Sequence, residues 1–166
     1  MSPHTSVYNE TCLNIESYTL DNLGYTSLIV RDYPNNYRFD NITNNTELKY
    51  IQSSGTLIYI VDCQELSEDT YDHMKKTINS VLNKNPKIFI DIFLHKIDGA
   101  FFIQNTNVAQ KNQDIGNNIN KILQDIHMDI PATVYKTSIY DHSLFEAFSR
   151  IFQKLSLQFH ICGVLG

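Results

Sequence analysis

Positive charge is in short supply: 13 lysines and arginines stand against 18 aspartates and glutamates, a formal net charge of −5 with a pI near 5.6. That balance offers no electrostatic footprint for nucleic acid or for an anionic membrane surface. Cysteine is scarce too. Cys12, Cys63 and Cys162 are far apart, odd in number and match no metal-ligand spacing, so they read as reduced thiols of a cytosolic protein. The sequence has no secretory leader, no apolar run able to span a bilayer and no lipidation box. A cytoplasmic location is expected, with no direct membrane insertion and any membrane attachment made through partners. Three N-x-T sequons begin at Asn9, Asn41 and Asn44, and without a route into the secretory pathway they are chance features of an Asn-rich chain.

What is present suffices for one globular domain. A chain of 166 residues, 42% hydrophobic, buries about 70% of its unfolded surface and needs no disulfide or metal staple. The stretch the rest is organised around is Ile88 to Gly99, IFIDIFLHKIDG. Six of its first seven residues are apolar, the pattern of a strand buried on both faces. It runs into His95-Lys96-Ile97-Asp98 at the strand's carboxyl end, the edge where ligands sit in open α/β sheets. The K-x-D spacing suits a guanine pocket. An aspartate accepts two hydrogen bonds from the N1–H and N2–H₂ edge of guanine, which adenine cannot supply. The lysine lays its methylenes on base and ribose. The bland alternative is a charged turn.

A second stretch, Thr137-Ser138-Ile139-Tyr140-Asp141-His142-Ser143-Leu144-Phe145-Glu146-Ala147-Phe148, follows another apolar strand and opens a helix. HKID and TSIYDHSLFEAF together resemble the guanine-recognition elements of the Rag small GTPases, specifically the RagC/RagD branch. The resemblance extends to Met1-Ser2-Pro3, similar to the segment after the family's first helix, and to Tyr59 through Gln64, similar to its fourth strand. It implies an α/β fold: an incomplete P-loop-NTPase-like (Ras-like) G-domain, with a doubly wound, mostly parallel sheet and an antiparallel edge hairpin. The family's first strand is missing from this arrangement. Residues 1–158 are then a partial G-domain and 159–166 a tail, without the family's roadblock-type second domain. The implied ligands are GTP or GDP, with Mg²⁺ weakened or lost. The implied partners are a RagA/RagB-type subunit and the amino-acid-sensing TORC1 machinery at lysosomal or vacuolar membranes.

Residue by residue, the resemblance places His95, Lys96, Asp98, Thr137, Ser138 and Ile139 around guanine, with the amides of Ser138 and Ile139 reaching O6. Asp32 assists Mg²⁺ through water, and the switch I threonine falls at Cys12 or, by a slip of one, at Thr11. Cysteine offers Mg²⁺ no hard oxygen. Where the family has W-D-F-P-G-Q, this chain has Arg31-Asp32-Tyr33-Pro34-Asn35-Asn36. Asn35 crowds a phosphate contact made for glycine, and Asn36 at the water-orienting position is one methylene short. No catalytic residue is assigned with these departures. The competing reading of this segment is a turn closing a strand. No G-x-x-x-x-G-K-[ST] occurs in the 166 residues, so the polypeptide as given is expected not to hydrolyse GTP. With the first strand missing, a five-strand remnant of marginal stability is expected.

The pattern also predicts a hairpin of Asn14–Leu20 and Thr26–Val30, and a polar surface segment over residues 37–55. A strand over Thr56–Val61 should lead to a helix over Ser67–Asn83 packing through Tyr71, Met74, Ile78, Val81 and Leu82. A second amphipathic helix is expected over Asp114–His127, then a strand over Thr133–Lys136. The last helix should open on a capping box, Ser143-x-x-Glu146, and pack through Phe145, Phe148, Ile151, Phe152 and Leu155. His73 and His127 read as solvated helix residues, and Asp62 as a loop start. Two other functions fit the residues: a non-enzymatic pseudo-GTPase that docks proteins, and a metal-dependent hydrolase using Asp32, Asp62, His95 and Asp98.

Overall fold

Alternating and unbroken apolar runs sort the strands into two sheets. In the computed structural model, which describes residues 15–20, 27–96, 108–126 and 131–164, β1 (Glu16–Leu20) and β2 (Leu28–Asp32) pair antiparallel. β3 (Thr56–Asp62), β4 (Phe89–His95) and β5 (Thr133–Thr137) form a parallel sheet in the order β3-β4-β5. Parallel pairing needs crossovers, and helices supply them: α1 (Asn45–Gln52), α2 (Glu68–Lys84), α3 (Val108–Asp125) and α4 (Ser143–Val164). The α/β class and the antiparallel hairpin are as expected. The hairpin and the parallel strands are nevertheless separate sheets among the described residues, and they fall in two compact units, Met1–Arg38 and Phe39–Gly166.

In the first unit the hairpin is exposed along all of β1. The Asp-Tyr-Pro-Asn-Asn run makes a β-turn in which the Tyr37 amide donates to the Pro34 carbonyl at 2.9 Å, with the Tyr33 and Tyr37 rings edge to face. Asn35 and Asn36 occupy its two exposed central positions, as the turn reading of that segment anticipates.

In the second unit β4 is the middle strand. Ile90, Ile92 and Leu94 on one face and Phe93 on the other are all at most 2% exposed, so both faces are covered. Below Phe93 lies α4, whose Ala147 and Ile151 are buried, with Phe148 edge-on to the Phe93 ring at 5.2 Å. Phe145 does not join this stripe and is 74% exposed. At about 100° per residue it sits about 120° around the helix from Ile151. Helix α2 buries Met74, Ile78 and Val81, and its N-terminus is closed by Ser67 and Thr70 in a reciprocal capping box.

Two local expectations give way. Residues 45–52 are helical, because Asn44 accepts the Thr46 amide at 2.8 Å as an N-cap and Ile51 is buried. The α1 carboxyl end is held by the Asn85 side-chain amide, which donates to the carbonyls of Ile51 and Ser54 at 3.0 and 2.9 Å. His73 is not simply solvated: its Nδ1 pairs with the Tyr59 hydroxyl at 2.8 Å. Helix α4 runs on to Val164.

Cys63, just past β3, is 3% exposed, and burial, reinforced by the charge of Asp62, pushes its thiol up to about 11. At pH 8 iodoacetamide should alkylate it on the order of 100-fold more slowly than a free cysteine. Mass-spectrometric peptide mapping reads the rate. Labelling as fast in the native chain as in guanidinium would contradict the burial.

Candidate functional site

The site is built by register. Asp62, His95 and Thr137 are partners across β3, β4 and β5, which puts three polar side chains in one row at the carboxyl ends of the parallel strands. Beyond the row the Cys63 amide donates to the His95 carbonyl at 2.9 Å, so the β3 and β4 ends stay locked together. His95 Nδ1 meets the Thr137 hydroxyl at 3.1 Å, which ties the HKID stretch to the TSIYD stretch. Thr137 and Ser138 are buried at 0% and 2% exposed.

Lys96 leaves β4 in the left-handed region, φ 58°, a conformation that costs an L-residue about 1–3 kcal/mol. Its ammonium turns back to Asp62, with Nζ 2.5 Å from Oδ2. The other carboxylate oxygen accepts the Gln64 amide at 2.9 Å. Burial works to raise the Asp62 carboxyl, but the hydrogen bonds from Lys96 and Gln64 and the charges of Lys96 and His95 together hold it below the ordinary range. The hydrogen bond and charge of Asp62 in turn raise Lys96. A depressed carboxylate keeps its proton off until the pH falls below the ordinary range, so the pair is intact at neutral pH. The loop-start reading of Asp62 missed this role. Its signal in the sequence was faint: one acidic residue at the end of a strand adjacent to K-x-D.

The β5–α4 loop is organised by Asp141. Its Oδ1 accepts both the amide and the hydroxyl of Ser143, at 2.8 and 2.5 Å, and this pulls the Asp141 carboxyl down. The Ser143 hydroxyl oxygen accepts the Ser138 amide at 2.9 Å, and Ser138 Oγ accepts the Tyr140 amide at 3.0 Å. Ser143 is therefore the first helical residue and not the cap, and the expected capping box does not form. The Ser138 amide expected at guanine O6 is spent on Ser143. The side chains of Ile139 and Tyr140 are 64% and 84% exposed.

Asp98 and Thr11 lie outside the described residues, as does Cys12. Asp32, Asn35 and Asn36 belong to the first unit and His95, Lys96, Thr137, Ser138 and Ile139 to the second. Among the described residues no group of three His, Cys, Asp or Glu side chains converges to hold a metal ion. No helix among the described residues is long and apolar enough to cross a membrane.

Comparison with known proteins bears on this geometry. Residues 1–163 match the model of the Gtr1/RagA G protein conserved region. The chain is 30% identical over 156 residues, 93% of its length, to Ras-related GTP-binding protein C of Mus musculus. It is 37% identical over 102 residues, 61% of its length, to GTP-binding protein gtr2 of Schizosaccharomyces pombe. Against GTP-binding protein GTR2 of Saccharomyces cerevisiae it is 29% identical over 156 residues, again 93% of its length. It spans 38%, 32% and 44% of these relatives respectively.

Proposed function

This chain belongs to the Gtr1/RagA family of G proteins, and from that membership we propose that its second unit carries the guanine-recognition part of a nucleotide site. The relatives named above are GTP-binding proteins. The observation that carries the reading is the His95–Thr137 contact at 3.1 Å, which brings the two family-like loops to one point on adjacent strand ends. In the proposed complex Asp98 accepts the N1–H and N2–H₂ of guanine, Lys96 lays its methylenes on the base, and the Ile139 amide donates to O6. Thr137 and Ser138 shape the floor. The whole protein is proposed to act as a RagC/RagD-like GTPase subunit, paired with a RagA-type subunit and passing amino-acid status to TORC1 at lysosomal or vacuolar membranes.

The 166 residues contain no G-x-x-x-x-G-K-[ST], so within this stretch the base clamp carries the affinity. Two or three hydrogen bonds, some charge-assisted, give about 4 kcal/mol, or a Kd of about 1 mM. Hydrolysis by this stretch alone is not proposed. NMR titration with guanosine and adenosine tests the clamp. Guanosine should saturate in the low millimolar range and adenosine should bind at least about tenfold more weakly, since a mispaired base edge costs about 1–3 kcal/mol. Equal binding of the two would refute guanine recognition. A second reading, protein docking without nucleotide, draws on the exposure of Ile139, Tyr140 and Phe145 beside the same loop. It is favoured if neither nucleoside shifts any resonance at 10-fold excess over the expected Kd.

A further inference from the structure

We propose that Asp62 is a positioning residue for base recognition, acting through Lys96; the inference rests on the guanine reading above. Lys96 extends from the end of β4, and its φ of 58° turns the chain so that the side chain heads back toward β3. There Asp62, the register partner of His95, takes the ammonium at 2.5 Å. Asp62 is itself fixed, because its second oxygen accepts the Gln64 amide at 2.9 Å in the first turn after β3. The four methylenes of Lys96 are thus stretched between two anchored points along the row of strand ends. A lysine with a side chain 47% exposed would otherwise sample many rotamers. Tethered, it presents a fixed apolar edge of the length a purine needs, with its charge already neutralised.

The carboxylate therefore selects what Lys96 can do. It directs the stem to a flat ring and withholds the ammonium from a competing anion. Neither effect is required for folding, since Asp62 and Lys96 both stand at the rim of the sheet, outside its core.

The test is a double-mutant cycle on the 166-residue chain, read by NMR titration with guanosine and with adenosine. Asp62→Asn should weaken guanosine about three- to fivefold, the scale of a solvent-exposed ion pair, and weaken adenosine, which lies on the same lysine stem, by a similar factor. In a Lys96→Met background, where the stem survives without its charge, the same substitution should change guanosine affinity by less than about twofold. Asp62→Glu should retain most of the affinity, and the thermal midpoint of Asp62→Asn should stay within about 2 °C of the unsubstituted chain. A ligand-free arm follows acetylation of Lys96 by an N-hydroxysuccinimide ester, which should speed up several-fold in Asp62→Asn as the pair is lost. Unchanged guanosine affinity in Asp62→Asn, or an equal loss in the Lys96→Met background, overturns the proposal alone. No guanosine preference in the unsubstituted chain, with Lys96 still slow to acetylate, overturns the guanine reading and this inference with it.

Discussion

Replacing Lys154 by alanine should cost the second unit about 3 kcal/mol, a drop of about 6–12 °C in its thermal midpoint. The reason lies in β4. Asp91 is 0% exposed at the centre of the middle strand. Both its oxygens accept from Lys154 Nζ of α4 at 2.7 Å, and Oδ2 also accepts the Thr56 hydroxyl at 2.6 Å. The Lys154 ammonium also sits over the Phe89 ring, with Nζ 4.6 Å from its centroid. Removing one partner of a buried pair leaves an uncompensated charge in the core, which costs about 3–5 kcal/mol. The lower end applies here because the Lys154 side chain keeps 26% of its exposure. The pair is a condition of this fold and not a source of surplus stability. Replacing both residues by apolar ones, Asp91→Leu with Lys154→Met, should therefore recover most of the loss. Urea denaturation of the two single variants and the double variant measures this. A Lys154→Ala midpoint unchanged from the unsubstituted chain would show that Asp91 finds other compensation.

Asp91 also marks where sequence reasoning stopped short. IFIDIFLH was legible as a strand buried on both faces because six of its first seven residues are apolar. The single carboxylate in that run calls for a partner, because a buried charge has to be paired. Its partner is 63 residues away on another element, and no local pattern points to it. The helix periods of α2 and α4 were readable for the same reason as β4, since packing repeats every turn. Phe145 was misplaced because hydrophobicity alone does not say where the centre of a stripe lies.

Asn44 misled in the opposite direction. In a run of asparagines it resembles loop, yet its position before Thr46 and Glu47 makes it a cap. At the site, the row of Asp62, His95 and Thr137 is partly legible: His95 and Thr137 open the two stretches that suggest guanine, whereas Asp62 reads only as a loop start. The occupation of the Ser138 amide by Ser143 was not legible. The S-x-x-E spacing there pointed to a capping box, whereas Asp141, two residues earlier, captures Ser143 first.

The second large effect concerns the identity of the base. Asparagine in place of Asp98 keeps one acceptor, for the N1–H, and turns the other acceptor into an N–H₂ donor. Guanine then presents its 2-amino group to a donor. Xanthine, with a carbonyl at C2, fits. Losing one pairing and gaining the other should each shift affinity by about 1–3 kcal/mol, so a preference for guanosine should become a preference for xanthosine. Lys96 and the Ile139 amide are untouched by the substitution, so the proposed clamp should keep its other contacts and its millimolar scale.

Competition between guanosine and xanthosine for the Asp98→Asn chain and its parent, followed at the Lys96 and Ile139 amide resonances, reads the base clamp directly. The parent should hold guanosine and the variant xanthosine, with both nucleosides shifting the same two signals. If the substitution leaves the order of preference unchanged, or if the shifts fall away from the ends of β4 and β5, these loops do not grip a guanine ring.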